Sequence, residues 1–306
     1  MTGPHAEHQQ AHQSPEEVVV GVDGSDSATR ALDRAADEAD LRSAALRIVH
    51  GLPWVDPATV GFGLQADRDR PPVEAARSLL ELAALRVTDR RPGVPIAREL
   101  SAEPAATALA RLSRTASLTV IGTRGLGGFA GLLLGSVGLR VAARTAGPLL
   151  VVRSEDAAAR RGLRHDKVLL GLKDDGDAGA VRFAFEEATR RGSRLRVLHT
   201  WTRPLVRMGQ WPVSPRQDVP AQARQHEDLA RFATAKQAEQ FPDVAVRVHT
   251  VPGPAAAALV EASRSADVLV VGARRRQGDP LGMRMGPVTH AVLHHAHCPV
   301  VLIPID

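Results

Sequence analysis

The chain repeats itself once. Residues 18–22, VVVGV, return as VLLGL at 168–172, so Gly21 and Gly171 stand 150 positions apart. TVIGTRG around Gly122 returns as LVVGARR around Gly272 at the same spacing, and AGPLLVVR, with Pro148, returns as HCPVVLIP, with Pro299, one position further on. A period of this length marks a duplicated domain; the units of a solenoid are shorter. Whatever the fold is, half of the 306 residues must be able to form it, twice. The expected division is a disordered tail over 1–15, a first domain over 16–153, a charged linker SEDAAARRGLRH over 154–165, and a second domain over 166–306.

Within the first copy, two periodicities alternate. The apolar run at 18–22 reads as a strand and leads past Asp23-Gly24-Ser25 into a helix. That helix carries Ala28, Leu32, Ala35, Ala36 and Ala39 on its apolar face, with Ser27 as the expected N-cap. Next come a strand at 45–50, a Pro- and Gly-rich loop at 51–72, a helix at 73–88, a strand at 94–100 and a helix at 103–115. A strand at 118–122, a glycine-rich loop, a helix from Ser136 to Thr145 and a strand at 149–152 complete the unit. Strands this apolar leave no wet face, so the fold class is α/β, with a parallel sheet covered by helices on both sides. In such a sheet ligands bind beyond the carboxyl ends of the strands, where the strand order reverses.

Composition removes several function classes. No apolar run approaches the roughly 18 residues of a membrane span. The opening MTGPHAEHQQAHQSPEE has neither a basic start nor an apolar core, so no signal peptide is read and a cytoplasmic location is expected. The single cysteine, Cys298, excludes an internal disulfide. His294, His295, His297 and Cys298 look like metal ligands on paper, but a helix end followed at once by a strand turns them in different directions, and no metal is assigned. The net charge of +5 rests on arginine, since Lys167, Lys173 and Lys236 are the only lysines. A basic chain is open to nucleic acid, yet aromatics are 3% with no tyrosine, which leaves few stacking platforms. Nucleic acid therefore ranks last among the partners.

The most informative stretch is "GTRGLGGFAGLLLGS" at 122–136. Glycine costs backbone entropy, so such a cluster belongs where the chain turns at positive φ or lets a ligand approach the main chain. A Walker A loop is excluded because the stretch has no lysine. The G-x-G-x-x-A at 125–130 follows the fourth strand rather than the first and lacks the acidic residue about 20 positions on. Leu134 replaces the first glycine of a nucleophile elbow, and no histidine–carboxylate pair accompanies Ser136, which argues against acyl transfer.

A longer pattern does match. Gly122, Gly125 and the pair Gly135-Ser136 fit G-x2-G-x9-G-[ST], which closely resembles the ATP-binding signature of the universal stress protein family. VVVGVDGSDSATRAL resembles the family's first strand and turn, and AGPLLVV and CPVVLIP resemble its closing strand. The resemblance implies two tandem Rossmann-like domains of the adenine-nucleotide alpha-hydrolase type, each a five-stranded parallel sheet flanked by helices. It further implies that Asp23 accepts from the adenine amino group, that Val22 packs beside the base and that main-chain groups near Val49 meet the base edge. By the same resemblance Gly122 and Gly125 allow backbone approach to ribose and phosphates, and Arg124 adds charge. Gly135, Ser136 and Val137 open a helix whose amides and dipole face the phosphates. Some members carry a hydroxyl where Gly138 stands here, so one contact is missing.

The second copy departs from this pattern. Lys173 replaces Asp23, Arg275 replaces the second glycine, and Pro287 replaces Ser136 one residue late. Lysine accepts no hydrogen bond and proline offers no N–H, so this site is expected to be empty or to hold something else. The run Arg274-Arg275-Arg276, with Lys173, reads either as an anion site or as a solvated charged face. The expected protein is thus a regulatory, stress-response binder of ATP with Mg²⁺ in domain one. Its second domain completes an intrachain pseudo-dimer through the last strands, and a homodimer of two chains stays open. Slow ATP hydrolysis or phosphoryl transfer is the alternative, although Asp23 is spent on the base and no catalytic residue is assigned. Arginine-mediated nucleic-acid binding is the third reading.

Overall fold

The computed structural model describes residues 16–52, 70–123, 134–153, 164–202, 219–276, 279–283 and 285–305. Domain one runs β1 (Glu17–Gly21), α1 (Asp26–Arg42), β2 (Ala45–Gly51), α2 (Arg70–Arg90), β3 (Ile96–Ser101), α3 (Ala105–Leu112), β4 (Leu118–Gly122), α4 (Ser136–Ala142) and β5 (Leu149–Val152). Domain two repeats it as β6 (Lys167–Leu172), α5 (Ala178–Arg191), β7 (Arg194–Trp201), α6 (Val219–Gln240), β8 (Val246–Pro252), α7 (Ala255–Ala262), β9 (Val268–Arg276), β10 (Asp279–Met283), α8 (Pro287–His295) and β11 (Val300–Ile305). Among the described residues no helix is long and apolar enough to cross a membrane.

The strands join into one sheet in the order β3-β2-β1-β4-β5-β11-β9-β6-β7-β8, with β10 paired to β9 off that path. Each domain contributes a parallel five-stranded set, and the two sets meet where β5 and β11 pair antiparallel, Val151 opposite Val300 and Leu149 opposite Leu302. The intrachain pairing of last strands is therefore present. Alternate strand residues feed two cores: Val18 and Val20 point into the layer under α1, α2, α5 and α6, while Val19 points into the layer under α3, α4, α7 and α8.

A buried ion cluster ties α1 to α5 across the domain boundary. Glu38 is held by Arg34 at 2.8 Å and by Arg42 and Arg191, and Arg42 also reaches Glu187 at 2.6 Å. Glu187 and Arg191 occupy in α5 the places of Glu38 and Arg42 in α1, so the cluster straddles the pseudo-twofold axis. Two longer reaches cross the same boundary: Arg153 donates to the Leu293 carbonyl at 2.8 Å and Arg275 to the Ala146 carbonyl at 3.3 Å.

Candidate functional site

The order β3-β2-β1-β4-β5 reverses direction between β1 and β4, which puts the topological switch point at the carboxyl ends of those two strands. Val22 continues β1 and is buried, its N–H donating to the Val49 carbonyl at 2.9 Å. Asp23 follows, half-buried, and its Oδ1 accepts from the Ser25 N–H at 3.0 Å. That tight turn needs Gly24 at φ +82°, a conformation costly for any residue with a Cβ. The N-cap of α1 is Ser25, whose hydroxyl accepts from Ala28 N at 3.2 Å. Ser27, expected as the cap, is instead a buried residue of the first turn that packs against Gly122.

The other wall comes from β4. A Cβ on Gly122 would lie 2.5 Å from the Ser27 hydroxyl oxygen and 2.6 Å from its carbonyl oxygen, so this glycine answers first to helix–strand packing. Beyond it, Thr123 N–H donates to Val152 and the Thr123 carbonyl accepts from Gly135 N–H at 2.8 Å, which ties both ends of the glycine-rich loop together. Arg124 and Gly125 lie outside the described residues. Gly135 caps α4, and Ser136 and Val137 are exposed in its first turn. The first three amides of a helix have no acceptor within it. Gly138 also has a packing reason, since a Cβ there would meet Leu134 Cδ1 at 2.7 Å.

Val49 is 1% exposed and its carbonyl already receives Val22, so β2 has less main chain to offer a base than expected there. The next residue takes a part that sequence reasoning missed. His50 Nδ1 lies 2.8 Å from the Val22 carbonyl. A carbonyl only accepts, so Nδ1 carries the proton and clasps the end of β1. Domain two repeats the clasp, with His199 Nδ1 at 3.1 Å from the Leu172 carbonyl. The signal was present as L-R-x-x-H, at 46–50 and again at 195–199.

In domain two the same crevice is rebuilt with different chemistry. β9 runs on past Gly272 to Arg276 and β10 folds back on it, so a hairpin stands where a phosphate loop would be. Arg274 and Lys173 both turn to the Asp174 carboxylate, at 3.2 and 3.5 Å, and Arg275 to the Ala146 carbonyl. Asp177 takes the place of Ser27 under Gly272; burial pushes its carboxyl pKa up, against the opposing pull of the Lys173 N–H at 2.6 Å. What remains is a largely apolar cavity of ≈ 300 Å³ whose walls include Leu172, Leu259, Pro287 and Thr289.

Residues 15–153 and 165–304 each match the model of the Universal stress protein family. A universal stress protein of Mycobacterium tuberculosis is 33% identical over 311 residues, covering 94% of this chain and 96% of its own. A second from the same species is 32% identical over 296 residues, covering 93% and 95%. Among solved structures, a universal stress protein from Archaeoglobus fulgidus has the same fold with TM-score 0.68 at 18% identity, over 95% of this chain and 99% of its own. Both halves match one family model and the relatives align over more than nine-tenths of this chain's length, so the chain belongs to the universal stress protein family, as a tandem two-domain member.

Proposed function

We infer that domain one binds ATP, with Mg²⁺, and that the protein works as a nucleotide-dependent regulatory binder in the cytoplasm. One observation carries this reading: Asp23 and the opening turn of α4 stand at the carboxyl ends of the adjacent strands β1 and β4. A carboxylate only accepts and an adenine amino group only donates, so Asp23 has the chemistry to take that group at the end of β1. Val22 lines the base side, and the amides of Ser136 and Val137 with the Ser136 hydroxyl face the phosphates. Mg²⁺ is a hard cation that keeps waters and is held largely by the phosphates themselves. Domain two serves as the structural partner. Leu82 and Phe232, 68% and 81% exposed at matching places on α2 and α6, give a homodimer of two chains an apolar surface, and sedimentation velocity reads that state directly.

The test is calorimetric titration of nucleotide-stripped protein with Mg·ATP. About one site per chain is expected, with affinity falling about 10- to 100-fold in Asp23→Ala, the scale of a hydrogen bond to a charged group. Ser136→Ala is expected to weaken binding less. Absence of binding by folded wild type would remove the nucleotide from this reading.

A further inference from the structure

The two domains are alike in backbone but opposite in charge at the amino-terminal ends of their first three strands. In domain one, Arg47 bonds Glu17 at 2.9 Å and Glu99 at 3.1 Å, with Ala45 and Ala97 beside them in register. The register of domain two puts Lys167 in the place of Glu17, Arg194 in that of Ala45, Arg196 in that of Arg47, Arg247 in that of Ala97 and His249 in that of Glu99. Across the five positions the formal charge goes from −1 to +4, counting histidine as neutral. All five residues lie on one face of the sheet by strand alternation, and they line a single recess of ≈ 260 Å³.

Among the described residues no carboxylate has followed them to restore the ladder. Asp267 is taken up by the N–H groups of His165 and Lys167, at 2.8 and 3.0 Å. Glu261, which stands where Arg111 bonds Glu99 in domain one, is bonded to Arg264 at 2.9 Å. Arg196 Nε is buried with no hydrogen-bond partner. Burial, and then the neighbouring Arg196, Arg194 and Arg247, push the Lys167 pKa down against Asp267, and burial with Arg196, Arg247 and Lys167 pushes down that of His249.

We propose that this recess is a binding site for a compact multivalent oxyanion of the condensed-phosphate class. An anion seated there would supply the charge that Glu17 and Glu99 supply in domain one, and arginine forks match phosphate oxygens in pairs. The recess is small and four cationic residues and a histidine line it together, which suits a small anion better than a nucleic-acid backbone, whose footprint is a stripe of spread charge. It lies at the opposite end of the strands from the nucleotide crevice, so it stands or falls independently of ATP binding.

Tripolyphosphate is the probe, titrated calorimetrically into the full chain with and without saturating Mg·ATP. The Lys167→Glu/His249→Glu variant rewrites the domain-one ladder, and Arg194→Ala/Arg247→Ala rewrites its two alanines; each uses residues the sister domain already folds with. Both are expected to lower tripolyphosphate affinity by about tenfold or more while leaving the response to Mg·ATP unchanged. Arg224→Ala/Lys236→Ala, on the exposed side of α6, removes two positive charges as Arg194→Ala/Arg247→Ala does, and this control is expected to bind as wild type does. The proposal is overturned if wild type fails to bind, if Mg·ATP displaces all the probe, or if the control loses as much affinity as the ladder variants.

Discussion

Gly122 shows how one residue can satisfy two readings. Its place in a family-like signature suggested room for a ligand, yet its Cβ position is already filled by Ser27 at 2.5 Å. Gly122→Ala is therefore expected to cost about 1–3 kcal/mol, the usual range for overpacking, seen as a lower urea midpoint even without nucleotide. Gly272 has the same relation to Asp177, whose Oδ1 would stand 2.6 Å from the added carbon. The cap expected at Ser27 stands two residues earlier, at Ser25. The Asp23 turn and the positive φ of Gly24 decided for Ser25, and Ser25→Ala is expected to lose about 1 kcal/mol, read from the same denaturation curves.

At the scale of elements, the buried strands were the most legible. The expected strands at 118–122 and 149–152 agree with β4 and β5 to the residue, because a short, mostly apolar run bounded by polar or Pro residues leaves little choice of limits. Helix ends were less so. The third helix was read as 103–115 but spans Ala105–Leu112, because Pro104 takes the N-cap place and Ser113 ends the helix with its hydroxyl on Ala110. The clasp of β2 on β1 was not read at all, since a single histidine at a strand end says nothing until its partner carbonyl is found. His50→Phe keeps the ring but removes the Nδ1–H donor. It is expected to cost about 1 kcal/mol and to weaken Mg·ATP binding by loosening Val22 and Asp23, while His199→Phe is expected to leave that binding unchanged. Parallel denaturation and titration of the two variants check this.

For the whole molecule, the boundary between domains is the feature with the largest stake in charge. Burial alone would raise the Glu38 carboxyl pKa, but Arg34, Arg191 and Arg42 together hold it well below the ordinary carboxylate range. A carboxyl lowered in the folded state contributes stability above its unfolded pKa, and that contribution is lost as pH falls toward the folded value. Stability is thus expected to decline from about pH 4.5 downward, with the slope reduced in Glu38→Gln. Removing the carboxylate outright leaves Glu187 as the one carboxylate that Arg42 and Arg191 share in the buried cluster. Glu38→Ala is expected to cost about 3–5 kcal/mol and to split the melting transition, as scanning calorimetry would show.

The duplication, the α/β class and the passage from the first strand through Asp23-Gly24-Ser25 into a helix were determined by sequence alone, because each is a local pattern: a period, an apolar run, a few residues at fixed spacing. Tertiary structure decided what depends on distance between segments far apart in the chain. It merged two sheets through strand contacts that no period encodes, pairing Leu149 with Leu302, and it brought Glu38 to Arg191. It also gathered Lys167, Arg196 and His249 from three separate strands onto one face. Register across a sheet is set by packing of whole strands, so the same five positions became an arginine held between two glutamates in one domain and four cations with a histidine in the other.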